Sequence, residues 1–250
     1  MSTDHAHRTD QADDREHERG HLHAGLRARP LVVFLLTVVL ALGLATTATA
    51  GGPPGQESGD VLRFADLAPV DGATARLVRG ADTLSTRTET RELDHGHVQT
   101  LWWVVFNNPE ECEHGQGPVA CGELDLFDGP DGPTGVEPSC VYADGSLVGG
   151  NGHARFADQL RVGEVRDSCI DFFVDLEPGL EGEDHGLTDP QGAEVHLVVR
   201  SHGPRIPGEV DQQLRTFAGG CEEFLPAGAP DELDPGQCSD LQFAVFPVSD

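Results

Sequence analysis

Thr100-Leu-Trp-Trp-Val-Val-Phe106 is the stretch on which the fold turns. Six of its seven residues are apolar and they fill both alternating faces, as in a central strand covered on both sides. Asn107-Asn108-Pro109 ends it with turn chemistry. Outward from this strand, the periodicity is short and mostly of period two. Thr83 to Thr90 alternates small hydroxyl residues with others, as an exposed strand would. Further strands are predicted at Glu123–Phe127, Cys140–Ala143, His153–Leu160, Ile170–Leu176, Ala193–Ser201 and Gln242–Phe246, separated by glycine- and proline-rich turns such as Gly129–Pro133 and Gly149–Gly152. One helix is predicted from Glu209 to Phe217, with Val210, Leu214 and Phe217 on one face, Pro207-Gly208 before it and Gly219-Gly220 after it. This pattern reads as a mainly β chain: a single antiparallel β-sandwich or barrel-like domain with one short helix.

Composition narrows the function. The 250 residues carry 43 acidic and 16 basic side chains, a formal charge of −27, and every basic residue is arginine. Without lysine there is no Schiff-base chemistry and no P-loop or kinase lysine. The negative field excludes nucleic acid as a partner, because phosphate backbones demand clustered cations.

The first 50 residues set the compartment. Residues 1–30 form a polar tail of mixed charge with five scattered histidines, too polar to pack and read as disordered. Leu31 to Ala45 is an uncharged apolar run preceded by Arg27 and Arg29, and Ala48-Thr49-Ala50 supplies the small-x-small pattern of a signal-peptidase site. Residues 31–50 are therefore a signal peptide or, if uncleaved, a membrane anchor, since a full span needs about 20 residues. Either way the remainder is extracytoplasmic, secreted or held at the cell membrane by that one segment. Residues 51–60 read as a linker from their glycine and proline content, and 61–250 as the β domain.

All six cysteines (Cys112, Cys121, Cys140, Cys169, Cys221 and Cys238) follow the apolar segment. An even number confined to an exported region reads as disulfides. Short loops favour Cys112–Cys121 and Cys221–Cys238, which leaves Cys140–Cys169, while other connectivities stay open. A zinc site on Cys112, His114 and Cys121 is the alternative, although no Cys-x-x-Cys pair is present.

Four blocks carry a resemblance: Leu-Trp-Trp-Val-Val-Phe-Asn-Asn-Pro-Glu, Gly-Asn-Gly-His-Ala-Arg-Phe, Gly-Ala-Glu-Val-His-Leu-Val-Val-Arg-Ser-His-Gly-Pro and the closing Gln-Phe-Ala-Val-Phe. Over Val98 to Phe246 the chain resembles a group of exported prokaryotic proteins of unassigned function. More distantly, the order of an Ala-Arg-Phe strand, a Gly-Glu turn and a Gly-Ala-Glu-Val-His strand is similar to chordin-type (CHRD) β domains. The length, the cysteines and the tryptophan pair depart from those domains. The resemblance implies an extracytoplasmic β fold and assigns no catalytic residue.

Candidate chemistry concentrates at Glu194 to His202. As a strand, this segment turns Val195, Leu197, Val199 and Ser201 to the core and Glu194, His196, Val198, Arg200 and His202 to the other face. Glu194 and His196 could share a zinc or copper ion, with His202 or the pair His95 and His97 completing it. The competing expectation is a solvated polar stripe, with Glu194 and Arg200 paired to neighbouring strands, and it is the one favoured here because no third ligand can be placed. Asp125, Asp128 and Asp131 offer a calcium alternative without EF-hand spacing. No Gly-x-Ser-x-Gly elbow exists, and carboxylates such as Glu181, Glu183 and Asp184 are too numerous to signal glycoside chemistry. Trp102 and Trp103 could stack on a sugar, although their apolar setting favours packing. Three readings follow: a non-enzymatic interaction or structural module with an extracellular partner, a metal-binding module or metalloenzyme on Glu194 and His196, and a carbohydrate-binding domain.

Overall fold

The computed structural model describes residues 55–115, 119–127, 135–176, 182–221 and 238–248. Residues 1–54, which include the stretches read above as tail, signal or anchor and the start of the linker, lie outside them. The strands are β1 (Gln56–Gly59), β2 (Leu62–Arg63), β3 (Thr74–Arg79), β4 (Thr83–Thr90), β5 (His97–Phe106), β6 (Pro138–Leu147), β7 (Ala154–Arg161), β8 (Glu194–Pro204) and β9 (Ser239–Phe246). They form two open antiparallel sheets, ordered β1-β3-β4-β7 and β2-β9-β8-β5-β6. No closed barrel occurs among the described residues. The chain is mainly β, as its alternation predicts.

The apolar strand β5 lies between β8 and β6, so it is flanked as well as covered. Its odd-numbered side chains, Leu101, Trp103 and Val105, meet Val195, Leu197 and Val199 of β8 and Ala244 and Phe246 of β9. Leu77 of β3, Leu84 of β4 and Phe156 and Leu160 of β7 close this core from the other sheet. Trp103 also donates its indole N–H across the core to Asp158 Oδ2 at 2.7 Å. At one end, the buried Arg79 guanidinium donates to the carbonyls of Pro190 (2.8 Å), Ala193 (2.7 Å) and Phe246 (3.2 Å), tying β3 to the second sheet. Its Nε donates to the Glu57 carboxylate at 2.5 Å, so the buried cation is paired as well as hydrogen-bonded, and is stable where an unpaired one would not be.

Several expectations are corrected. Thr83–Thr90 is a strand, but Thr86, Thr88 and Thr90 face inward and are buried. Their hydroxyls are satisfied internally: Thr86 donates to the Arg76 carbonyl at 3.0 Å and Thr90 to Gln242. Ile170–Leu176 is not a strand; Cys169–Leu176 is helix α1. Ser168 caps it, its hydroxyl accepting the amides of Ile170 (3.1 Å) and Asp171 (3.2 Å), and that capping residue outweighs the β-branched content. Glu123–Leu126 is a short 3-10 helix because Asp125 bonds the Gly122 amide at 2.7 Å and curls the chain back. The helix expected at Glu209–Phe217 shortens to α2 (Val210–Gln213). β1 forms within the stretch read as linker, and β3 falls in a segment given no strand.

Candidate outer-face site

The even-numbered face of β5 and β8 is the one that carries Glu194, His196, Arg200 and His202, as alternation predicts. It is not solvated. A second apolar layer covers it, made by Trp102, Val104 and Phe106 from β5 with Leu126, Val136, Ile170 and Phe217 from the irregular connections. Phe217 anchors the cover through edge contacts with Trp102 (5.1 Å) and Phe173 (5.1 Å), and the Arg200 guanidinium lies 3.9 Å from its ring centre.

Two of the three disulfides lie in this layer, and the third faces His202 on the same side of the sheet. They are Cys112–Cys121, Cys140–Cys169 and Cys221–Cys238, so the pairing favoured by loop length is the one formed. Carboxylates fasten the same loops. Glu194, 1% exposed, accepts the amides of Ala120 (2.9 Å) and Cys121 (3.0 Å) and the His196 ring nitrogen (2.9 Å). Burial alone would push its carboxyl up, but the bonds from His196, Ala120 and Cys121 hold it below the ordinary value. Asp125 accepts the amides of Glu113 (3.0 Å) and Gly122 (2.7 Å), and Asp184 accepts Ser139 Oγ (2.7 Å), the Cys140 amide (3.0 Å) and Ser168 Oγ (2.8 Å). Each buried acid therefore sits beside a cystine and uses its negative charge on N–H and O–H donors, the strong form of the hydrogen bond.

His202 is fully buried in a chain of donors. Its Nδ1 donates to the Gly219 carbonyl at 2.8 Å, which fixes Nε2 as acceptor for the Thr100 hydroxyl at 2.8 Å. Thr100 in turn accepts the Trp102 indole N–H at 2.8 Å. Burial pushes the His202 ring down to about 4, and the nearby Arg200 charge pushes the same way, so the ring is neutral at physiological pH. Gly219 is needed where it stands: a Cβ there would lie 2.3 Å from the Gln212 carbonyl oxygen.

The five proposed metal ligands do not converge. Glu194 and His196 touch. His196 pairs with Val104 and His97 with Pro204 at opposite ends of the β5–β8 ladder, seven residues apart along β5, or about 24 Å at strand rise. His95 is exposed beyond the end of β5. His202 sits three β-repeats from His196 on the same strand and faces the Cys221–Cys238 cystine, each sulfur 3.9 Å from Nδ1. Of the calcium candidates, Asp125 is committed to amides, and Asp128 and Asp131 lie outside the described residues. Trp102 and Trp103 are both buried, on opposite faces of β5, so neither presents a ring to a sugar. Sequence reasoning missed Thr100, Gly219 and the fastening role of Asp184. The Asp184 partners at 139 and 140 lie about 45 residues away, with no local signal to join them.

Compared with known proteins, the chain matches no protein-family model, no curated protein and no solved structure. The resemblances quoted above stand on their sequence blocks alone.

Proposed function

We propose that this chain is an extracytoplasmic, disulfide-locked β module that serves as an interaction or structural element, secreted or anchored through residues 31–50. The observation that carries the reading is the use to which its reactive groups are put. Glu194, Asp125, Asp184 and His202 each bond backbone amides, hydroxyls or a carbonyl beside a cystine, so their chemistry goes into holding loops. Three cystines, all after the uncharged apolar run, suit an oxidising compartment. The chain after residue 30, with 11 arginines and 37 acids, is strongly acidic, which favours solubility outside the cell and a cationic or neutral partner.

The test is fractionation of cells expressing the full chain, with thiol alkylation before any reductant. The expected result is a domain cut by protease added outside the cell, with no labelled cysteine and, if secreted, an N-terminus at or near Gly51. Full-length chain in the cytosol with labelled cysteines contradicts the reading. The second reading, a metal centre on Glu194 and His196, would need the hydrogen bond between them to give way to a shared ion. One equivalent of zinc or copper that co-purifies, and is lost in His196→Ala, would establish it in place of the first.

A further inference from the structure

The Cys221–Cys238 cystine differs from the other two in what faces it. His202 Nδ1 is equidistant from both sulfurs, at 3.9 Å from each. The three ligand atoms lie within 4.8 Å of one another, and their residues are 0%, 0% and 8% exposed. Cys112 and Cys121 also have a third group nearby, Asp125, but its oxygens are held by amides.

We propose that His202, Cys221 and Cys238 are a latent three-ligand site for a soft, thiolate-seeking d10 cation, zinc or copper(I), that is exposed when a dithiol reduces the cystine. The geometry suits this class. With metal–sulfur bonds of about 2.3 Å and a metal–nitrogen bond of about 2.1 Å, sulfur and nitrogen on one ion stand roughly 3.6–3.8 Å apart. The nitrogen is thus already near ligand spacing from both sulfurs; the sulfurs must part, and the Gly219 carbonyl that now takes the Nδ1 hydrogen at 2.8 Å must turn aside. Two thiolates and one imidazole are the donors that select zinc and copper(I) over calcium or magnesium.

The chemistry balances. The external dithiol delivers two electrons and two protons, the sulfur–sulfur bond breaks, two protein thiols form and the reductant leaves as its own disulfide. Metal binding then releases the two thiol protons to solvent. His202 must free Nδ1, and its other partner permits that. The proton moves to Nε2, which donates to Thr100 Oγ1, and that oxygen has a second lone pair for the Trp102 indole N–H. Thr100 is thereby a positioning residue that holds the ring in either tautomer.

The experiment treats the full chain with a phosphine, which performs the same two-electron reduction with water supplying oxygen and protons, and then titrates cadmium or copper(I) without oxygen. One equivalent should produce a thiolate-to-metal charge-transfer band and protect Cys221 and Cys238 from alkylation while Cys112, Cys121, Cys140 and Cys169 stay reactive. His202→Gln and Thr100→Val should weaken binding 10–100-fold in the same titration. The unreduced chain should show no such band. Protection spread over all six cysteines, whether because the reduced chain unfolds or because the metal binds elsewhere, overturns the proposal. So does equal affinity in the His202→Gln chain.

Discussion

The two faces of the five-stranded sheet are covered in different ways. On the inner face, Leu101, Trp103 and Val105 meet a second sheet whose side chains alternate in the same way, and the core is aliphatic and aromatic with inward threonines bonded among themselves and to Gln242. On the outer face, Trp102, Val104 and Phe106 meet loops, two short helices and three cystines, and most of the fastening is by buried carboxylates, one arginine and one histidine. A sheet covers its neighbour by repetition, because each strand offers an apolar residue every second position. Irregular segments have no such period, and their backbone donors need partners. Here acidic side chains and covalent bonds provide what periodicity cannot. The strongly negative composition is in part a structural requirement of that outer cover.

The inner face should show the largest response to truncation. Trp103→Ala removes a fully buried indole and one of the two donors to Asp158, the other being Arg166, and should cost about 4 kcal/mol of global stability by urea denaturation. A loss below about 1 kcal/mol would mean that the inter-sheet core is not the main source of stability.

The outer face should govern the acid limb. His202 has a folded value of about 4 against 6.5 when unfolded. Its neutral form is the one the fold favours, so its contribution is complete above pH 6.5 and is lost as pH falls toward 4. The loss is on the order of 3 kcal/mol. Denaturation curves across that window should show this slope flattened in His202→Gln. An unchanged slope would assign the acid sensitivity to other groups. Glu194 works in the same direction at lower pH, since its carboxylate is held below its ordinary value. Glu194→Ala strands the amides of Ala120 and Cys121 and should cost about 2 kcal/mol, read as raised protease sensitivity of the Cys112–Cys121 loop. Equal sensitivity in both chains would show that the cystine holds this loop unaided.

Alternation made the inner face legible in advance. The assignment of Val195, Leu197 and Val199 inward and Glu194, His196, Arg200 and His202 outward follows from period two and is what β8 displays. What alternation cannot report is what lies over a face. The amide that meets Glu194 belongs to Cys121, 73 residues earlier, and the carbonyl that meets His202 belongs to a turn after a four-residue helix. A polar stripe under such a cover reads as a solvated one. Threonines mislead for the opposite reason: Thr86 and Thr88 look like surface residues, yet their hydroxyls find partners inside and their methyls pack. Loop length identified the cystines because two of the three span fewer than 20 residues.

The smallest expected effect concerns long-range charge. The net −26 after residue 30 repels itself across the surface, and salt screens it with a Debye length of about 8 Å at physiological strength. Sodium chloride should raise the melting temperature by a few degrees from low to moderate concentration, while the buried carboxylate bonds at Asp125, Asp184 and Glu194 respond little. A falling melting temperature would show that surface ion pairs such as Arg63–Glu92 outweigh the repulsion.

The central claim is that the inner core holds by itself and the outer cover depends on its cystines. Hydrogen exchange on the full chain, with and without reductant, tests it most directly. On reduction without added metal, amides at 109–115, 119–127, 169–176 and 205–221 should lose protection by tenfold or more, while those of β4, β5, β8 and β9 that pair within the sheets stay protected. Simultaneous loss of protection in both regions would show one cooperative unit and would contradict the account.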